Sequence, residues 1–256
     1  VVNAGKDATV REAAHTNPAI SFIEMPADTL TPRLWSEGLA ASRGSVVAFT
    51  TGHCFVSSEW GSRLLAPIAT GAAGAGGPLR LVPHATLVDA AIFFLRYSAF
   101  IEGKPDGAVD DIAGDNAAYA RGSIPPGTWT RENGFWERDV NRAIRHSGGS
   151  LAWVDGAVAG FGDSFRFGSI CRHRFEHGRL FGHARVANDG ESCAKIVLGS
   201  VLVPIVLCLR AGRRTVGRAA YRGKFLVALP ITMIIAACWA AGEAAGALEA
   251  TIARRS

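Results

Sequence analysis

Apolar and polar residues alternate in short units through the first part of the chain. Residues 20–23 are a short apolar run, residues 32–43 carry apolar residues at helical spacing, and residues 45–50 are a β-branched run typical of a buried strand. A strand, a helix and a second strand in this order predict a βαβ unit, whose strands lie parallel in one sheet. We therefore expect an α/β fold with a mainly parallel sheet and the strand at residues 45–50 in its centre.

Two later segments extend this pattern. Residues 70–78 (Thr-Gly-Ala-Ala-Gly-Ala-Gly-Gly-Pro) are predicted to form a flexible loop, because the Gly-Lys-Ser or Gly-Lys-Thr end of a phosphate-binding loop does not follow them. Residues 134–145 predict a helix, since Trp136, Val140 and Ile144 share one face and charged residues occupy the others.

The last quarter of the chain is far more apolar. Residues 196–209 and 225–242 contain no charged residue, and as helices they would cover about 21 Å and about 27 Å of a hydrocarbon core about 30 Å thick. A basic linker with no acidic residue separates them, formed by Arg210, Arg213, Arg214, Arg218, Arg222 and Lys224. This position favours anionic lipid headgroups over nucleic acid as the partner of the linker.

We expect the two apolar segments to enter a membrane to different depths. Pro204 interrupts the first segment, which is also short for a span, so residues 196–209 are predicted to be re-entrant or interfacial. The basic linker then stays on the cytoplasmic side, as the positive-inside rule requires. Residues 225–242 form the deeper segment and the candidate transmembrane helix.

Composition and charge add three points. The 256 residues, 48% of them hydrophobic, suffice for one or two globular domains with a core. Residues 1–162 carry 13 basic and 16 acidic residues, whereas the rest carry 14 and 6, so the net charge of +5 arises in the C-terminal part. Five cysteines without C-x-x-C spacing indicate neither a structural zinc site nor a disulfide framework.

The first nine residues, Val-Val-Asn-Ala-Gly-Lys-Asp-Ala-Thr, run like a strand into a polar turn. They resemble the second strand and the D-x-x-S-T-D-x-T turn of the family 2 glycosyltransferases, with Asp7 and Thr9 at the last acid and threonine. The resemblance implies an inverting, nucleotide-sugar-dependent enzyme in which Asp7 and Thr9 bind the donor. It also implies an N-terminally truncated chain, because the first strand and helix of that family precede this segment.

Residues 39–54 end in Thr51-Gly52-His53-Cys54 and are similar to the approach of that family to its D-x-D metal site. The resemblance places Thr51 and His53 at the donor and makes His53 the candidate metal ligand. Two carboxylates would hold Mg²⁺ or Mn²⁺ against the diphosphate, but neither stands at these positions. His53 retains the capacity to ligate Mn²⁺, and the alternative is a polar strand end without a metal.

Residues 114–121, Gly-Asp-Asn-Ala-Ala-Tyr-Ala-Arg, resemble the G-x-N-x-A-x-R-R segment that precedes the acceptor site of the family. The resemblance adds Asp115 and Asn116 to the donor-binding residues. The alternative is a helix N-terminus that one of these two side chains caps.

Residues 134–140, Gly-Phe-Trp-Glu-Arg-Asp-Val, resemble the F-x-E-D catalytic segment of the family, with Arg138 between the two acids. An inverting transfer needs one carboxylate to take the proton of the attacking acceptor hydroxyl. Glu137 is the first candidate for this general base and Asp139 is the second. The alternative is a solvated helix start, where the helix dipole favours acidic residues.

Residues 171–179 stand where processive members of the family have Q-x-x-R-W, but Cys171 and Phe175 replace the glutamine and the tryptophan. A processive synthase is therefore not expected. Arg174, or alternatively Arg179, is the candidate contact to the donor diphosphate, since a guanidinium binds phosphate with two parallel hydrogen bonds. The alternative is a basic helix that lies on a membrane surface.

Taken together, the resemblance implies a glycosyltransferase A-type α/β sandwich, incomplete at its N-terminus and followed by an apolar helical hairpin. Residues 1–105 would form the nucleotide-sugar-binding half, residues 106–190 the acceptor and catalytic half, and residues 191–256 the membrane-associated tail. The implied activity is transfer of a sugar from a nucleotide-sugar to a lipid-linked or cell-surface glycan at the inner membrane, facing the cytoplasm. A degenerate, noncatalytic binding module at the membrane is the alternative.

Overall fold

The chain divides into two compact units, each made of two segments. In the computed structural model, residues 1–5, 8–27, 29–187 and 190–253 are described, without the side chains of residues 8, 9, 14 and 15. The first unit is Val1–Arg80 with Glu102–Ala159, and the second is Leu81–Ile101 with Gly160–Ser256.

The first unit alternates short strands and helices. In chain order it has β1 (Val2–Asn3), α1 (Ala8–Thr16), β2 (Ile23–Glu24), α2 (Thr31–Ala41), β3 (Val46–Thr50), β4 (Cys54–Val56), α3 (Trp60–Ala69) and β5 (Gly74–Gly76). β6 (Leu79–Leu81) reaches the end of its first segment, and α4 (Leu87–Tyr97) belongs to the second unit. The remaining elements are β7 (Gly107–Val109), β8 (Asn116–Ala120), α5 (Glu137–His146), β9 (Leu151–Trp153) and, at the second boundary, β10 (Ala159–Phe161).

Five strands of the first unit form a mixed sheet in the order β3-β8-β5-β9-β7. Among its four pairs, only β5 and β9 run parallel. The expectation of a mainly parallel sheet is therefore wrong, and so is the central place of β3, which lies at one edge of this sheet as the structure describes it. In β3, Val47 and Phe49 are buried while Ala48 and Thr50 are exposed. A central parallel strand, in contrast, is buried on both faces of the sheet.

The predicted βαβ unit is also wrong in its pairing. β2 pairs in parallel with β1, Val2 opposite Ile23, in a separate two-stranded sheet, and β3 pairs antiparallel with β8. Helix α2 thus connects two different sheets. The order of elements along a chain does not fix which strands pair.

The glycine-rich segment at residues 70–78 contains a buried strand, β5, between β8 and β9. A Cβ atom on Gly74 would lie 2.9 Å from the Tyr119 ring, and one on Gly76 would lie 2.6 Å from Cβ of Ile112. Glycine is required because the neighbouring side chains leave no room for a larger residue. The prediction of a flexible loop is wrong at this strand.

An aromatic cluster fills the core beneath the end of β3. The rings of Phe49 and Phe135 stack at 4.6 Å, and Trp35 meets Phe49 edge-on at 5.8 Å. Tyr119 contacts both phenylalanine rings edge-on. Burying each aromatic side chain contributes about 1.5–3 kcal/mol, so this cluster holds α2, β3, β8 and the segment before α5 together.

The second unit is helical, with α4, α6 (Phe167–Ala187), α7 (Cys193–Ser200), α8 (Val203–Thr215) and α9 (Ala219–Ala253). Thr86 and Asp89 form a capping box at the start of α4, and the buried Asp89 carboxylate also accepts hydrogen bonds from the backbone N–H groups of Ser164 and Phe165. The Asp89 carboxylate therefore accepts hydrogen bonds from three backbone N–H groups, those of Thr86, Ser164 and Phe165.

One helix in the described part of the chain, α9, is long and apolar enough to cross a membrane. Helices α7 and α8 meet the same test only as a pair, and they are bent by 61° at the break between them. The tail of the chain is therefore one long apolar helix preceded by a broken pair. Helix length and composition are weak grounds for a span, because the core helix of a soluble protein has the same properties.

Candidate active site

The pairing of β3 with β8 brings two polar chain segments together. Thr50, the last residue of β3, lies opposite Asn116, the first residue of β8. Because the strands are antiparallel, the residue after β3 and the residue before β8 are neighbours. These residues are Thr51 and Asp115, which the sequence assigned to two different motifs.

Thr51, His53 and Asp115 form a hydrogen-bonded cluster. The Thr51 hydroxyl donates to Oδ1 of Asp115 at 3.0 Å, and Nε2 of His53 lies 2.9 Å from the same hydroxyl oxygen. The Thr51 hydroxyl oxygen is thus shared by the carboxylate of Asp115 and the imidazole of His53. Nε2 of His53 is also 3.7 Å from Oδ1 of Asp115, which is almost fully buried.

Asn116 holds the start of β8 in place. Its Nδ2 donates to the carbonyl oxygens of Pro78 and Ala157, both at 2.8 Å, and its Oδ1 accepts from Nε1 of Trp60 at 2.6 Å. A buried amide with three satisfied hydrogen bonds fixes its own position and that of the preceding residue. Asn116 therefore positions Asp115.

Gly114 places the start of α5 beside this cluster. A Cβ atom on Gly114 would lie 3.1 Å from Cβ of Glu137 and 2.7 Å from the Trp35 ring. The backbone of Gly114 is thus packed directly against both residues. Glu137, the first residue of α5, consequently stands next to the residue that precedes Asp115.

Helix α5 is fixed one turn further on by Asn141. Its Oδ1 accepts a hydrogen bond from the Tyr119 hydroxyl at 2.8 Å, and its Nδ2 donates to the carbonyl oxygen of Ile112 at 2.9 Å and to Oδ1 of Asp111 at 2.5 Å. Burial raises the pKa of Tyr119 well above its ordinary value, and the charges of Glu137 and Asp111 raise it further. Tyr119 therefore remains a hydrogen-bond donor to Asn141 at physiological pH.

The second candidate base, Asp139, has a different environment. Its Oδ1 lies 3.2 Å from Nη2 of Arg142 and 4.0 Å from Nε of Arg138, and its side chain is about half exposed. The Asp139 carboxylate is thus engaged by Arg142 at the surface of the helix. Glu137 has the better position of the two, because its Cβ lies against Gly114.

The other predicted site residues lie apart from this cluster in the chain or outside the described part. Asp7 falls outside the described residues, and Thr9 belongs to α1, where its side chain is not described. Arg174 belongs to α6 of the second unit, where burial and the neighbouring charge of Arg96 lower the pKa of its guanidinium. The proposed helix cap at residues 115 and 116 is not formed, since Asn116 opens a strand.

Sequence reasoning missed Cys54, Trp60 and Asn141. Sγ of Cys54 lies 3.4 Å from the Thr51 hydroxyl oxygen and belongs to a group with His53 and Asp115 whose donor atoms all lie within 4.8 Å of one another. The adjacency of Cys54 to His53 was visible in the sequence, but the carboxylate comes from a distant strand. No sequence signal marked Trp60 or Asn141.

The donor atoms of His53, Cys54 and Asp115 differ from those of a typical magnesium site. Mg²⁺ prefers oxygen ligands alone, whereas an imidazole and a carboxylate suit Mn²⁺, and a thiolate suits softer metals such as Zn²⁺. His53 and Asp115 therefore fit Mn²⁺ better than Mg²⁺. Asp115 supplies the carboxylate that residues 51–53 lack.

No protein-family model matches the chain, and no curated protein matches its sequence. Among the solved structures, the chain is similar in fold to a structure described as GalNAc-T7 with UDP, GalNAc and Mn²⁺, with 12% sequence identity and a TM-score of 0.47. The match covers 72% of this chain and 42% of that one. At these values, function has to be argued from the residues of the site itself.

Proposed function

We propose that the chain transfers a sugar, with inversion, from a nucleotide-sugar donor to a hydroxyl group of a lipid-linked or cell-surface glycan acceptor. One observation carries the proposal: Gly114 packs against Glu137 and directly precedes Asp115, which binds Thr51. Three segments that resemble the metal-site, acceptor and catalytic segments of the family 2 glycosyltransferases thereby meet at one place.

The reaction would be a single displacement. The Glu137 carboxylate accepts the proton of the acceptor hydroxyl while that oxygen forms a bond to the anomeric carbon. The bond between the anomeric carbon and the phosphate oxygen breaks, and the nucleoside diphosphate leaves with the electron pair. Attack from the face opposite the leaving group inverts the configuration at the anomeric carbon.

The polar cluster would bind the donor. The Thr51 hydroxyl and the His53 imidazole are suited to ribose hydroxyls and phosphate oxygens, and Asp115 orients both side chains. His53 and Asp115 would hold Mn²⁺, which supplies charge neutralisation for the leaving diphosphate. Cys54 is buried beside them and favours a softer metal.

The test is an assay of the full-length protein with a panel of uridine and guanosine diphosphate sugars. We expect release of the nucleoside diphosphate in the presence of Mn²⁺ and an acceptor, and NMR of the product should show the inverted anomer. A retained anomer would exclude the single displacement. No donor binding across the panel would refute the proposed function.

A noncatalytic binding module is the second candidate. The observation in its favour is that Thr51 and His53 replace both carboxylates of the D-x-D motif, which leaves Asp115 as the single carboxylate of the cluster. This candidate predicts donor binding without turnover. Isothermal titration with the donor, run beside the product analysis, separates the two, because the first measures binding and the second measures turnover.

We further propose that the protein works at the cytoplasmic face of the inner membrane. The support is chemical: nucleotide-sugars are charged molecules of the cytoplasm, and the basic linker at residues 210–224 is suited to anionic lipids. Cell fractionation that recovers the protein in the soluble fraction at physiological salt would contradict this location.

A further inference from the structure

Large aliphatic side chains are exposed around the bend between α7 and α8. They are Leu198, Val201, Leu202, Ile205, Val206 and Leu209, and Leu198 and Val201 are each 75% exposed. No charged residue occurs between Lys195 and Arg210. Single exposed aliphatic residues are normal on a protein surface, but six within one bent segment indicate a surface that a partner covers.

The neighbouring helix α9 adds to this surface. Its buried stripe includes Tyr221, Phe225 and Ala228, and the opposite side exposes Leu226, Val227 and Ile234. A helix that is apolar all round presents apolar residues wherever protein does not cover it. We call these three residues and the six at the bend the apolar surface.

Helix α8 is packed against α9, so the two parts of the apolar surface belong to adjoining helices. A Cβ atom on Gly212 of α8 would lie 3.4 Å from the Phe225 ring of α9, and Cys208, Ala211 and Thr215 are buried on the inner side of α8. The exposed aliphatic residues of α8 are thus held outward by packing on the other side of the helix.

Neither helix of the bent pair is long enough to cross a bilayer by itself. Helix α7 has 8 residues and α8 has 13, so they measure about 12 Å and about 20 Å against a hydrocarbon core about 30 Å thick. A bend of 61° makes the effective depth smaller.

Helix α9 is long enough to span, but its C-terminal part is committed to α6. Backbones of the two helices touch, since a Cβ atom on Gly246 would lie 1.8 Å from the carbonyl oxygen of Arg179. Two ion pairs also join them, one between Arg185 and the buried Glu243 and one between Arg179 and Glu249. Within the apolar stretch itself, a Cβ atom on Gly242 would lie 2.0 Å from the carbonyl oxygen of Phe175, so a transmembrane α9 would bring the charged residues of α6 beside this contact to the edge of the hydrocarbon, which is unfavourable.

Basic residues border the apolar surface. Arg210, Arg213 and Arg214 are exposed near the C-terminal end of α8, and Arg222 stands exposed before the aliphatic residues of α9. Long basic side chains next to inserted aliphatic residues reach the level of the phosphate groups. This charge identifies an anionic lipid bilayer, rather than a second copy of this basic chain, as the occupant.

We propose that the apolar surface inserts into one leaflet of an anionic bilayer, with the bend between α7 and α8 as its tip and α9 lying in the interface without crossing. This inference is independent of the proposed sugar transfer. It differs from the expectation of a transmembrane helix at residues 225–242, and it keeps the basic linker on the same side of the membrane as the rest of the chain.

The first test measures binding of the full-length protein to vesicles of phosphatidylcholine with and without phosphatidylglycerol. Replacing Leu198, Val201 and Leu202 together by Gln should weaken binding about tenfold or more, because each buried aliphatic side chain contributes strongly to insertion. The control replaces Leu248 and Ile252 by Gln, which are also exposed aliphatic residues of α9 but lie outside the apolar surface. Equal loss in both variants, or no binding by the unchanged protein, would overturn the proposal.

A second variant tests the charge. Arg213→Gln combined with Arg214→Gln should weaken binding to the anionic vesicles about tenfold and leave binding to pure phosphatidylcholine unchanged. Arg142→Gln, an exposed arginine of the first unit, is the control and should have no effect. If the Leu198, Val201 and Leu202 variant instead abolishes self-association in lipid-free solution, the surface joins two copies and the proposal fails.

The third test distinguishes insertion from crossing. Trypsin is sealed inside anionic vesicles, a protease inhibitor is present outside, and the protein is added from outside. The chain has arginines on both sides of the apolar stretch of α9, at residues 222 and 254, so a spanning helix would expose one of them to the enclosed protease. We expect the bound protein to stay intact, and cleavage would contradict the one-leaflet arrangement.

Discussion

The two units keep their parts in place by opposite means. In the first unit, buried amides such as Asn116 and Asn141 reach across to backbone and side-chain groups of other elements. In the second, α6 and α9 meet where side chains are missing, at Gly178 and Gly182 on one helix and Gly242 and Gly246 on the other. Hydrogen bonds in the first unit define the position of a site, whereas close packing in the second defines a rigid helix pair.

The largest effect is expected from adding one methyl group between α6 and α9. In Gly246→Ala the new Cβ would lie 1.8 Å from a backbone oxygen, which cannot rotate away, so the helices must separate. We expect a loss of about 3 kcal/mol or more in the free energy of unfolding, measured by denaturation followed by circular dichroism.

The control for this variant lies in the same helix. Gly223→Ala meets no atom within 4 Å and should stabilise the protein slightly, because alanine favours a helix by about 1 kcal/mol over glycine. Equal free energies of unfolding for Gly246→Ala and Gly223→Ala would contradict the claim that close packing holds α6 against α9.

A smaller loss of stability with a larger loss of activity is expected from Gly114→Ala. The added Cβ would meet the Trp35 ring at 2.7 Å and Glu137 at 3.1 Å, so α5 must move away from Asp115. Displacing a catalytic group by about 1 Å can cost about 10²-fold in rate, while overpacking costs about 1–3 kcal/mol. Turnover and thermal denaturation should be compared with those of Gly122→Ala, where nothing lies within 4 Å. Full turnover in Gly114→Ala would show that this packing does not position Glu137.

The smallest effect is expected from Tyr119→Phe. Loss of the hydroxyl leaves Oδ1 of the buried Asn141 without its donor and should cost about 1–2 kcal/mol at neutral pH. The folded pKa of Tyr119 is raised, so above about pH 10 the unfolded state ionises first and wild-type stability falls with rising pH. Tyr119→Phe lacks this contribution, and its deficit relative to wild type should shrink above about pH 10. A constant deficit across this range would show that Tyr119 titrates normally.

Local patterns in the sequence predicted the helices and strands better than they predicted which strands pair with each other. The strand at residues 45–50 and the helix at residues 32–43 are confirmed as β3 and α2, and the helix predicted within residues 134–145 is confirmed as α5. The alternation in β3 predicts a strand but does not name its neighbour, which comes from a segment about seventy residues later. Strand β5 was missed because glycines there serve close packing, which composition cannot distinguish from a loop.

The candidate site shows the same limit. Thr51, His53, Asp115 and Glu137 were chosen from motifs in three separate segments, and the structure brings these segments together. The direct bond between Thr51 and Asp115 depends on the β3 and β8 register, so no local pattern predicted it. Asn141 positions α5 through long-range hydrogen bonds that leave no mark in the sequence around it.

The most direct measurement of the central claim compares Glu137→Gln with wild type in turnover and in donor binding. If Glu137 is the general base, kcat should fall about 10²–10⁴-fold while the Kd for the nucleotide-sugar stays unchanged. Glu132→Gln removes the same charge from an exposed position in the preceding turn and should keep both values. Wild-type kcat in Glu137→Gln would contradict the assignment.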